Sequence, residues 1–163
     1  MAAARVSHAD QSVDMAAPAA TIYALAQDVA SWPRFLPHYR YVRVLQETPD
    51  ERIAVMGARR SWIPVRWTAR ERLHPAIPRI EFIHLSGWTV GMEVAWTFAP
   101  TPGGTRVTIE HDLRTLRRPV SRTRLARAII ARFFIRPIAT RTLARMKALA
   151  EQLASNTKEP HEQ

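Results

Sequence analysis

The sequence predicts an α+β domain: a curved antiparallel sheet of six to seven strands wrapped around a long C-terminal helix, with two short helices after the first strand. Three observations carry this. From Tyr39 to Leu113, apolar residues recur at every second position in runs separated by short turns. From Val120 to Leu153, the period lengthens to that of a helix. Between the opening strand and the sheet lies SWPRFLPHY, Ser31 to Tyr39, where Pro33 and Pro37 leave about one helical turn each.

The elements follow in order. DQSVDM reads as the opening strand, and Pro18 suits the first turn of a helix on which Ile22, Leu25, Ala26 and Val29 recur. After the proline-broken segment, YRYVRVLQ sets Tyr41 and Arg43 against Val42 and Val44. ETPDE turns into the strand RIAVMG. SWIPVRWTARERL places Ile63, Val65, Trp67, Ala69 and Glu71 on one face, with Arg66, Thr68, Arg70 and Arg72 on the other. Pro64 marks an edge or a bulge there. HPAIP turns into RIEFIHLSG; then Met92, Val94, Trp96 and Phe98 share a face. TPGG leads into TRVTIEHDL, with Val107, Ile109, His111 and Leu113 on one side.

The helical part has two apolar arcs. Leu125, Ile129, Ile130, Phe133 and Phe134 share the first. Ile138, Thr142, Leu143, Met146 and Ala150, with Leu149 and Leu153, form the second. Pro137 lies between them, so the reading is one kinked helix or two helices meeting there. One domain over residues 1–155 and a polar tail over 156–163 are expected.

An antiparallel sheet has one apolar face to cover, and the terminal helix is the only element long enough to cover it. A curved sheet cannot close on a helix along its whole length. A cavity between them is expected, with the short early helices at its mouth.

Composition narrows the chemistry. The chain has 163 residues and no cysteine, which excludes disulfides, thiolate ligands and thiol nucleophiles. No run of apolar residues is long enough to span a bilayer, and MAAARVSHAD lacks a secretory h-region, so a cytoplasmic location, with membrane association open, is expected. The six histidines show no metal-ligand spacing, and there is no phosphate-binding or dinucleotide motif, so neither metal nor cofactor is expected. The formal charge is +10, yet residues 114–147 hold ten Arg, one Lys and no Asp or Glu. That segment accounts for +11, and the rest of the chain for −1. Basicity belongs to the helix, where Arg124, Arg127, Arg132, Arg141 and Arg145 stand off the apolar arcs. A solvated face, an acidic carrier protein, or an anionic membrane surface each suits them. Aromatics are not interleaved for base stacking, which speaks against nucleic acid.

APAATIYALAQDVASWPRFLPHY resembles the opening motif of the START-like helix-grip superfamily, and the likeness continues through WTARERL, SGWTVGMEVAWTF and PGGTRVTIEHDL. Aromatase/cyclases of bacterial aromatic polyketide synthesis are the most similar group, and ubiquinone-binding START-like proteins share the early motif. The resemblance implies a hydrophobic, aromatic or polyketide-type ligand held in the cavity. Trp32, Phe35, Trp67 and Trp96 would line it, together with Val65, Ala69, Met92 and Val94. It implies a pocket role for Tyr39 as a hydrogen-bond donor to substrate. Two and four residues after the pocket tryptophan, the cyclase pattern carries a polar residue and an arginine; here Ala69 and Glu71 stand there. Glu71 in an apolar cavity would have a raised pKa and join Tyr39 and His111 as a catalytic candidate. The expected activity is aldol cyclisation and dehydration of a poly-β-keto chain, with a non-catalytic lipid or quinone carrier as the alternative.

Overall fold

The computed structural model describes residues 7–158. Seven strands form one antiparallel sheet: β1 (His8–Met15), β2 (Tyr39–Glu47), β3 (Glu51–Arg60), β4 (Ile63–His74), β5 (Arg79–His84), β6 (Glu93–Thr101) and β7 (Gly104–Asp112). Their order is β1-β7-β6-β5-β4-β3-β2. Six strands thus run as a meander, and β1 returns to pair with the last, His8 opposite Asp112. The strands β1 and β2 lie at opposite edges, so the connection between them crosses the concave face of the sheet. That connection is α1 (Ala19–Gln27), a 3₁₀ turn at Val29–Ser31, and α2 (Trp32–Phe35). Pro33 falls in the first turn of α2, where its missing N–H costs nothing.

The alternation read from the sequence becomes the inner face. In β6 and β7, Val94, Trp96, Phe98, Val107, Ile109 and His111 are all buried. Pro64 is tolerated because β5 pairs with β4 only over Ala69–His74. The first half of β4 is therefore a local edge, even though β3 flanks it throughout.

The chain closes with α3 (Arg124–Ile129), a π-helical turn (Ile130–Ile135) and α4 (Arg136–Lys158). The helix extends into the segment expected as a polar tail, and residues 159–163 lie outside those described. Thr123 caps α3, its hydroxyl accepting from the Ala126 amide at 3.2 Å. The π turn corrects the first apolar arc. Inward positions fall at Ala126, Ile130, Ile135 and Ala139, with a five-residue step where the helix widens. Leu125, Ile129 and Phe133, expected on the buried arc, are exposed instead. No helix among the described residues is long and apolar enough to cross a membrane.

Candidate functional site

Between the sheet and the helix lies a cavity of about 510 Å³. Its wall carries an aromatic arc. Trp32 meets Trp96 at 5.7 Å between ring centroids and Tyr39 edge-on at 5.0 Å. Tyr39 meets Trp67 at 6.1 Å, and Trp67 stacks on His84 at 5.6 Å with 14° between the planes. Flat faces with 5–6 Å spacings suit contact with a planar guest.

Of the residues expected to bind ligand, Trp32, Val65, Trp67, Met92, Val94 and Trp96 lie on this wall. So do Tyr39 and His111. Phe35 and Ala69 do not: Phe35 packs half-buried against the core, and Ala69 is covered. Glu71, expected in the cavity, is off its wall as well. It lies on β4 directly opposite Arg52 of β3, and Arg52 Nη1 donates to its Oε2 at 3.2 Å while also bonding the Gln27 carbonyl at the end of α1. Glu71 is only 1% exposed. Burial pushes its carboxyl up to about 7, with Arg52 opposing the rise. Its other oxygen has no hydrogen-bond partner among the described residues.

The mouth also differs from expectation. Trp32 and Tyr39 are buried at the inner end, so the early helices close the cavity rather than border its opening. The exposed wall residues are Pro64, Arg66, Trp88, Val120 and Ile129. They come from the half of β4 that β5 does not cover, the β5–β6 loop, and the segment entering α3 and its end. The loop is held down at Gly91, whose positive φ of 88° and close approach to the Thr115 carbonyl leave no room for a Cβ.

Apart from Arg66 and Ser121 near the opening, polar groups sit at two places on an apolar wall. At the helix side, Thr142 donates to the Ile138 carbonyl at 2.9 Å, so the 2.8 Å contact from His38 Nε2 is a donation to its oxygen. The Tyr39 hydroxyl lies beside Thr142, and burial raises its pKa, so it stays a donor. On the sheet side, His111 Nδ1 donates to the Ala9 carbonyl at 2.9 Å. This fixes the tautomer and leaves Nε2 as an acceptor. His84 Nδ1 bonds Thr89 Oγ1 at 2.6 Å. Burial lowers His84 to about 3 and His111 to about 4, so both rings are neutral at physiological pH.

Sequence reasoning missed His84, Thr89 and Thr142 as site residues. His84 was readable: Ile80, Phe82 and His84 alternate along β5 as the wall residues of β4 do. Thr142 was placed on the helix arc, but its pairing with His38 depends on long-range packing. Among the described residues, no group of three His, Cys, Asp or Glu can hold a metal ion.

A Streptomyces cyaneus protein, provisionally named a polyketide cyclase, is 27% identical over 111 residues, covering 61% of this chain and 68% of that one. The fold matches that of Zhui aromatase/cyclase from Streptomyces sp. R1128, at 21% identity and a TM-score of 0.77 over 89% of this chain and 93% of that one. The di-domain aromatase/cyclase StfQ of the steffimycin biosynthetic pathway aligns at 19% identity, with a TM-score of 0.76 over 93% of this chain and 54% of that one. A START superfamily protein from Mycobacterium smegmatis gives 16% identity and a TM-score of 0.64 over 93% of this chain and 99% of that one. The family model for polyketide cyclase/dehydrase and lipid transport proteins matches residues 15–147, and the chain belongs to that family.

Proposed function

We propose that the protein binds a flat, largely apolar molecule bearing hydroxyl or keto oxygens, and that it acts on a poly-β-keto chain as a cyclase/aromatase. The carrying observation is the pairing of an aromatic wall with two separate polar points, Tyr39 beside Thr142 and His111 beside the β6–β7 pair. A chain folded against the indoles would be held near one attack geometry, which is where most of the rate would arise. In the aldol step, the Tyr39 hydroxyl donates to the carbonyl oxygen under attack. His111 Nε2 accepts the proton from the attacking carbon, and the new carbon–carbon bond forms. The Tyr39 proton completes the new alcohol. In the dehydration, a second proton leaves the same carbon for the Tyr39 oxygen, the His111 proton goes to the departing hydroxyl, and water is expelled as the carbon–carbon double bond forms. Glu71 has no part in this, because it does not reach the wall. In a reconstituted synthase, Tyr39→Phe and His111→Gln together should shift the product profile toward uncyclised or misfolded shunt products. An unchanged profile overturns the catalytic reading.

A second reading is a lipid or quinone carrier without chemistry. The lack of any charged side chain on the buried wall favours it, since a neutral guest needs none. Native mass spectrometry of protein from its own host separates the two: a co-purifying isoprenoid or acyl lipid supports the carrier. The arginines off the helix arcs are the charged surface that an acidic carrier protein or an anionic membrane would meet.

A further inference from the structure

The cavity opens through an unusual rim. Three segments form it: residues 58–67 at the β3–β4 hairpin, 85–92 between β5 and β6, and 116–135 through α3. Together they hold nine Arg and no Lys, Asp or Glu. They also hold most of the large apolar side chains left exposed among the described residues: Trp62, Trp88, Val120, Leu125, Ile129 and Phe133. Trp62 is 81% exposed at the hairpin tip, Leu125 is 73% on α3, and Trp88 is 70% in the loop.

The segments are tied into one surface. Arg60 donates to the Phe133 carbonyl at 2.9 Å and lies over the Phe133 ring, which Arg132 also flanks. Arg118 lies over Trp88, and Ser121 donates to the Trp88 carbonyl at 3.1 Å. The Arg117 amide donates to Val90 at 2.9 Å. Guanidinium groups thus stand beside two of the exposed aromatics of the opening, Phe133 and Trp88.

We infer that this rim is a docking surface for an anionic lipid bilayer. Its apolar side chains project from three separate tips around a hole, rather than lining one continuous groove, and suit a soft planar phase better than a folded partner. Tryptophans at the headgroup level, with arginines reaching phosphates, match the chemistry of such an interface. A second copy of the chain is disfavoured, because nine like charges would face nine. Docked in this way, the apolar cavity would open toward the acyl region, and a guest could pass without crossing water.

The test uses the full-length protein without any cavity ligand, so it stands apart from the functional reading above. Flotation with phosphatidylcholine vesicles, with and without phosphatidylglycerol, measures binding. Binding is expected only to the anionic vesicles and should weaken as salt rises. Brominated lipids should quench tryptophan emission, and Trp62→Ala should remove part of that quenching. Trp62→Ala with Leu125→Ala should weaken binding at least about tenfold, and Arg122→Glu with Arg124→Glu by a comparable factor. All four positions are exposed, so thermal unfolding should barely change. Binding equally to neutral vesicles, or variants that bind like the parent, overturns the inference. So does a failure to float while an acidic carrier protein is retained on the same rim.

Discussion

The grip has two halves built from the same strand and the same helix, one solid and one hollow. In the solid half, Ile22, Ala26, Val29 and Leu36 of the early segment share one core with Met146 and Ala150 of α4, all fully buried, and Arg52 ties the end of α1 to Glu71 of β4. In the hollow half, Val65 and Trp67 of β4 face Ile138, Ala139 and Thr142 of α4 across the cavity. Sheet and helix continue through both. The difference is coverage: α1 and α2 reach only as far as Trp32 and Tyr39, and nothing after them fills the remaining space. The cavity is therefore a consequence of where a short connection stops.

The largest effect that can probe this contrast is acid. His38, at the boundary, and His84 and His111, in the hollow half, are all lowered by burial, to about 4, 3 and 4. Below pH 6.5 the unfolded chain takes up protons that these rings refuse. Stability present above pH 6.5 is therefore lost as pH falls through 4, by several kcal/mol in total. NMR titration checks this ring by ring. If water enters the hollow half freely, His84 and His111 will titrate near 6.5 while His38 stays low.

Glu71 works in the opposite direction within the solid half. Its carboxyl is raised from 4.5 to about 7 in the fold, so the folded state holds its proton more tightly than the unfolded chain. Stability present below pH 4.5 is lost as pH rises through 7, by about 3 kcal/mol. Glu71→Gln should remove that decline in urea unfolding between pH 5 and 8, and should leave ligand binding unchanged.

Packing gives the smallest and most local contrast. Ala150→Phe should overpack the solid half and cost about 2 kcal/mol. Ala139→Phe projects into the cavity and should cost less than about 1 kcal/mol. Equal costs in chemical denaturation would mean that the two halves do not differ.

Much of this was legible in the chain. The alternation of Met92, Val94 and Trp96, and of Val107, Ile109 and His111, gave the inner face directly, because side-chain direction in a strand is local. What was lost depends on partners. Arg52 meets Glu71 through strand register, which no single strand encodes, so a carboxylate read as a cavity group is an ion-paired core group. Phe133 faced the wrong way on a 3.6-residue wheel because the π turn at Ile130–Ile135 carries the inward position from Ile130 on to Ile135, while Leu125 lies one place off the inward row of Ala126 and Ile130. Phe35 was credited to the cavity by its neighbours Trp32 and Tyr39, yet it packs half-buried against the core and is absent from the cavity wall.

The most direct measurement is titration of tryptophan fluorescence with a tricyclic hydroxylated aromatic, in the parent protein and in Ala139→Phe. Saturable quenching at one site is expected in the parent and its loss in the variant, with the unfolding transition nearly unchanged. Equal binding by the filled variant would contradict this, because the guest would then lie somewhere other than the hollow half.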